Sequence, residues 1–238
     1  MSVDVLAIGP HPDDVELTIC GTLLKLISRG KTVVIADLTR GEMGTCGTEQ
    51  IRLREASEAA SRMGISERIN LDLGDSILSD NFNNRIKIIE LIREFRPSLI
   101  MASYWDDLHP DHSISGQLVA NCCYLSGLSK FPASREPYRP KELLYYMSHY
   151  SFTPTFIVDT SKFFEKKLEV LGAYSSQFQS FDRYNFGKSH REDFKKYFHA
   201  IEIRDGYYGS LIKCSFGEPF FVKRALPMND PVDHFSEF

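Results

Sequence analysis

The chain has 238 residues, 42% of them hydrophobic and 25% charged, which excludes disorder and suits one α/β domain with a substantial core. A net charge of −4 argues against nucleic acid as the main partner, and no apolar run reaches membrane-spanning length. The start, Met1-Ser2-Val3-Asp4, lacks the marks of a signal peptide, and five cysteines without a CxxC pattern read as free thiols, so a cytoplasmic location is expected.

Val3–Gly9 reads as a buried strand, followed by a helix over Glu16–Ser28 that Gly30 stops. Thr32–Leu38 is a second buried strand. A glycine-spaced loop, Gly41 to Gly47, leads into a helix from Glu49 to Met63, ended by Gly64. Arg68–Leu73 is a short strand and Phe82–Phe95 an amphipathic helix. Ser98–Tyr104 is a strand after Pro97, and His112–Leu125 a helix. Glu142–Ser148 and Phe156–Asp159 read as strands, and Ser161–Tyr174 as a helix with Ser161 as its N-cap. Residues 175–190 read as a loop, Arg191–Arg204 as a helix, and the proline-bearing tail after Cys214 as a surface or subunit contact. The alternation predicts a Rossmann-like fold over residues 1–238, with a mostly parallel sheet and helices on both faces.

Two turns carry the chemistry. His11-Pro12-Asp13-Asp14 follows the first strand, and His109-Pro110-Asp111-His112 follows the strand ending at Tyr104. Loops at the carboxyl ends of neighbouring strands converge in such sheets. His11 and Asp14, three apart on a turn, can face one point, with His112 or His109 as third ligand. That set suits Zn²⁺ with an open position for water. Asp13, next to a ligand, is placed to act as general base. The glycine loop could hold a substrate group or be a plain loop, and it is no dinucleotide fingerprint. Of Arg52 and Arg54 only one can face the site. Phe178, Phe181, Tyr184 and Phe186 read as packing, and His149, His190, His199 and His234 as structural.

Pro10-His11-Pro12-Asp13-Asp14-Val15-Glu16-Leu17, then Gly21-Thr22-Leu23, resembles the signature of LmbE-like (GlcNAc-PI de-N-acetylase-like) zinc deacetylases. Thr39-Arg40-Gly41-Glu42-Met43-Gly44, Ile51-Arg52, Arg54-Glu55-Ala56 and His109-Pro110-Asp111-His112 continue it. Ser151–Asp159 and Tyr207-Tyr208-Gly209-Ser210 are similar to the bacillithiol-biosynthesis branch, which deacetylates N-acetylglucosaminyl-malate. The resemblance implies His11, Asp14 and His112 as zinc ligands, with Fe²⁺ an alternative metal in the cell. It implies Asp13 as general base, His109 as the group that steadies the tetrahedral intermediate or protonates the amine, and Arg52 as a substrate contact. The expected partner is a small amino-sugar substrate, with no nucleic acid and no membrane, and the chain is expected to form a homo-oligomer, a hexamer being one arrangement. Alternatives are another amino-sugar conjugate as substrate, or a non-catalytic sugar-binding homologue. Two positions depart from the pattern. Cys20 stands where the signature has a glycine, and Leu108 where many members of this branch have arginine.

Overall fold

The computed structural model describes residues 2–65, 67–177, 190–230 and 232, with backbone alone for 190–196. One seven-stranded sheet is built from β1 (Val5–Gly9), β2 (Val33–Asp37), β3 (Glu67–Asn70), β4 (Leu99–Ser103), β5 (Glu142–Tyr146), β6 (Phe156–Asp159) and β7 (Gly217–Phe221). The helices are α1 (Asp14–Ser28), α2 (Glu49–Met63), α3 (Phe82–Phe95), α4 (Pro110–Leu125), α5 (Phe164–Leu171) and α6 (His190–Leu211). Strand order is β3-β2-β1-β4-β5-β7-β6. The first five strands are parallel, and β7 runs antiparallel to both β5 and β6.

Strand periodicity explains the two-sided core. Val5 and Ala7 of β1 pack with Val15, Leu23, Ala59, Val170 and Ile201 of α1, α2, α5 and α6. Leu6 and Ile8 point the other way, against Ile88, Ile92 and Leu118 of α3 and α4. The sheet order reverses direction between β1 and β4. Turns leaving those two strands therefore open onto a shared crevice, the usual ligand position of such sheets. The His11–Asp14 turn follows β1 and the His109–His112 turn follows β4.

Two expectations need correction. The tail after Cys214 is on the surface only in part: Gly217–Phe221 enters the sheet as β7, with Phe220 fully buried, while residues 223–230 are exposed. Pro219 is accommodated because it pairs with Ile157 of β6 beyond the last β5 pairing, Tyr146 with Phe220. Ser161 is not a helix N-cap. Ser161–Phe163 forms a 3₁₀ turn, and the Ser161 hydroxyl donates to Asp159 Oδ1 at 2.7 Å while accepting from the Ser215 and Phe216 amides. Helix α6 is longer than the pattern suggested. Phe178, Phe181, Tyr184, Phe186 and His234 lie outside the described residues.

Helix α1 is kinked at Ile19 (φ −126°, ψ 15°). Past the kink, the Gly21 and Thr22 amides donate to the two carboxylate oxygens of Glu218 at 2.9 and 2.7 Å. A buried carboxylate from β7 thus caps the second segment of α1, which suits the positive end of a helix dipole. Cys20, fully buried beside this cap, is a packing residue.

Candidate metal centre and active site

The His11–Asp14 turn is tight and strained. Asp13, the N-cap of α1, sits at φ 114°, which a residue with a Cβ adopts only when its surroundings force it. The turn closes by the His11 amide donating to Asp14 Oδ2 at 2.9 Å. The same oxygen lies 3.1 Å from His11 Nδ1 and 3.2 Å from His112 Nε2. All three residues are buried. Zinc bonds to nitrogen and oxygen of about 2.0–2.2 Å separate tetrahedral ligands by roughly 3.3–3.5 Å. The observed spacings are close to that, and the donor chemistry of two imidazoles and one carboxylate fits Zn²⁺.

Carboxylates stand behind the imidazoles of both His11 and His112. His11 Nε2 lies 3.2 Å from Asp111 Oδ2 and 3.2 Å from Asp75 Oδ1. His112 Nδ1 lies 3.3 Å from Asp107 Oδ1. Such outer carboxylates fix the tautomer and orientation of metal-binding histidines. Burial opposes a charged His11 ring, yet hydrogen bonds to Asp111, Asp14 and Asp75 outweigh it and push its pKa up to about 12. Burial likewise opposes ionisation of Asp14, but His112 and His11 hold its carboxyl well below the usual range. The surrounding carboxylates thus favour positive charge at this point.

His109 caps α4, its Nδ1 accepting the Asp111 amide at 3.2 Å. An accepting Nδ1 leaves the proton of the neutral ring on Nε2, which becomes a donor. Burial and the neighbouring His11 and His112 lower its pKa, favouring the neutral form. The ring meets His11 edge-on at 4.8 Å. Asp13 is pushed up to about 7 by burial, with Arg52 opposing and Asp14 adding to the rise. A carboxylate poised there is well matched to accept a proton near neutral pH.

Of the two arginines, Arg52 faces this region and Arg54 is exposed. Arg52 is buried. Its Nη1 donates to the Gly41 carbonyl at 2.9 Å, and its Nη2 to the Pro12 carbonyl at 3.0 Å and Asp13 Oδ2 at 3.2 Å. Gly41 (φ 65°) is required here, because a Cβ would lie 1.9 Å from Arg52 Nη1. The glycine loop is tied to the centre, since the Met43 amide donates to Asp75 Oδ2 at 2.8 Å. Leu108 is exposed on the rim beside His109.

His149 is not the isolated residue its sequence setting suggests. Its Nδ1 lies 2.8 Å from Asp107 Oδ1, and its ring packs against His112 at 5.2 Å. Asp75, Asp107 and Asp111 were also missed among the candidates. Signals existed for most of them: Asp111 lies inside the second motif, Asp107 two residues before it, and His149 just past the carboxyl end of β5, next to β4. Asp75, in a turn after the edge strand, offers none. A cavity of about 340 Å³ reaches Asp14, bounded by Leu17, Ser148, His149, Tyr197 and Ile201. His199 is exposed and pairs with Glu202.

Residues 6–123 match the family described as PIG-L: GlcNAc-PI de-N-acetylase. The diacetylchitobiose deacetylase of Thermococcus kodakarensis is 33% identical over 189 residues, 73% of this chain and 70% of that protein. A probable N-acetyl-α-D-glucosaminyl L-malate deacetylase 2 of Bacillus anthracis is 28% identical over 73% of this chain and 81% of its own. Among solved structures, the conserved protein TT1542 of Thermus thermophilus superposes with a TM-score of 0.86 at 33% identity, covering 95% of this chain and 98% of that one. The N,N′-diacetylchitobiose deacetylase of Pyrococcus horikoshii gives a TM-score of 0.82 at 26% identity, covering 96% and 88%. With its two histidine turns, its fold and these relatives, the chain belongs to the GlcNAc-PI de-N-acetylase (PIG-L) family, whose members compared above include hydrolytic deacetylases.

Proposed function

We propose that the chain hydrolyses the N-acetyl group of an N-acetylglucosamine glycoside, using a divalent metal held by His11, Asp14 and His112. The observation that carries this reading is the convergence of those three donor atoms with carboxylates behind both imidazoles. Zinc, or Fe²⁺ in the cell, would polarise the acetamide carbonyl and lower the pKa of water beside it. Asp13 takes the proton of the attacking water, and its strained backbone and Arg52 contact fix where its carboxylate lies. His109 presents Nε2–H to the carbonyl oxygen as charge builds there. A proton then passes to the departing nitrogen, giving acetate and a free amine.

The Bacillus relatives make N-acetylglucosaminyl-malate, in bacillithiol biosynthesis, the first substrate to try, and the archaeal relatives make diacetylchitobiose the second. We place the reaction in the cytoplasm. We also infer a homo-oligomer, because α6 exposes Ile203, Tyr207 and Leu211 at four-residue spacing along one face. The test is amine release by zinc-loaded protein from the malate glycoside, diacetylchitobiose and free N-acetylglucosamine. Release from a glycoside, lost on chelation and restored by zinc, supports the reading. No release from any of the three overturns it.

A further inference from the structure

The carboxylate behind His112 is held mainly by groups other than His112. His112 Nδ1 is buried and lies 3.3 Å from Asp107 Oδ1, a longer contact than those Asp107 makes elsewhere. Three donors hold Asp107 more closely. The His109 amide donates to Oδ1 at 3.0 Å, the His149 amide to Oδ2 at 2.9 Å, and His149 Nδ1 to Oδ1 at 2.8 Å. Two of the three belong to His149, which stands past the end of β5 while Asp107 stands past the end of β4. An ionised carboxylate only accepts, so the His149 proton facing it resides on Nδ1. His149 is half-exposed and reaches the cavity that adjoins Asp14.

We propose that His149 is a positioning residue for the metal. It clamps Asp107 from a neighbouring strand, and Asp107 in turn keeps negative charge opposite His112 Nδ1. That charge keeps the His112 proton on Nδ1 and its Nε2 lone pair turned towards His11 and Asp14. The inference rests on the metal assignment made above. It adds that a residue outside the ligand set governs how tightly the metal is held.

Outer-shell partners of metal-binding histidines are each worth roughly 10–100-fold in affinity. His149→Ala removes the side-chain donor and keeps the backbone one. His149→Asn restores a donor near the position of Nδ1. Zinc affinity is measured by competition with a chromophoric chelator on metal-stripped protein, alongside the melting temperature of the same stripped samples. The expected result is about 10-fold weaker zinc binding for Ala, about wild-type affinity for Asn, and unchanged melting for both. Asp107→Asn, which keeps the shape and loses the charge, is expected to weaken zinc at least as much as His149→Ala. Equal affinity of His149→Ala and wild type would overturn the proposal, as would Asn as weak as Ala. Failure of wild type to bind zinc at all would instead overturn the metal assignment.

Discussion

Among the buried charge clusters on helix α1, one lies at its first residue and another at its kink, with the Glu16–Arg68–Asp37 set between them. At the kink, Lys167 donates to Asp205 at 2.8 Å, to Glu218 at 2.7 Å and to the Thr18 carbonyl at 3.4 Å. Arg204 adds a second cation on Asp205 at 2.9 Å, so two positive groups meet two negative ones. The Glu218 carboxylate also accepts the Gly21 and Thr22 amides. At the first residue the balance differs. Asp13, Asp14, Asp75, Asp107 and Asp111 gather around the imidazoles of His11, His109, His112 and His149, with Arg52 the permanent cation in contact with Asp13. A closed, neutral network binds the fold together. A network with surplus carboxylate and convergent donors has room for a cation, the reading proposed above. Burial alone does not separate the two, but the charge balance does.

The sharpest break between the clusters is expected in the ligands. His11→Ala, Asp14→Ala and His112→Ala should each lose bound zinc and reduce amine release to background, since a three-ligand site tolerates no missing ligand. Metal content after desalting checks this. Full zinc occupancy in His112→Ala would move the third ligand to His109.

Within the same cluster, Asp13 separates chemistry from metal binding. Asp13→Asn should keep zinc and slow turnover by roughly 10²–10⁴-fold, the usual worth of general acid–base catalysis. Single-turnover rates with zinc content measured in parallel decide it. A variant with normal turnover would require another base.

Lys167→Met tests the other side of the comparison. It leaves Asp205 and Glu218 buried with one partner fewer, which typically costs about 3–5 kcal/mol. Denaturant midpoints should fall accordingly, while the folded variant keeps zinc. Loss of zinc without loss of stability would mean that the kink, too, serves the metal.

These two clusters were unequally legible in the sequence. His11, Asp14 and His112 stand out because they cluster in two short turns, each directly after an apolar strand whose place in the sheet the alternation predicts. The parallel half of the sheet was legible for the same reason, since β1, β2 and β4 are near-continuous apolar runs. Lys167, Asp205 and Glu218 stand on α5, α6 and β7, and nothing local marks residues that meet only after folding. β7 itself was hidden by Pro219, which argues against a strand unless its partner strand has already ended there. His149 escaped notice because its partner, Asp107, lies on a different strand end. Distance along the chain concealed these residues, whereas composition and spacing exposed the others.

Arg52 gives the smallest expected effect and the finest discrimination. The family resemblance casts it as a substrate contact, while the structure has its guanidinium on the Gly41 and Pro12 carbonyls and on Asp13. The two roles separate kinetically. Arg52→Lys keeps a positive charge but cannot span three acceptors with a planar fork. Losing a charge-assisted hydrogen bond costs about 1.5–3 kcal/mol, or roughly 10–100-fold in rate. If Arg52 holds the turn that aims Asp13, the loss falls on kcat and KM stays within about threefold. If it binds substrate in the ground state, KM rises and kcat survives. Because the Arg52 charge opposes the upward shift of Asp13, Arg52→Gln should move the acidic limb of the pH–rate profile to higher pH, and Arg52→Lys, which keeps the charge, should move it less. A pure substrate contact would leave that limb in place, so the profile decides between the two roles even where the kinetic constants move together.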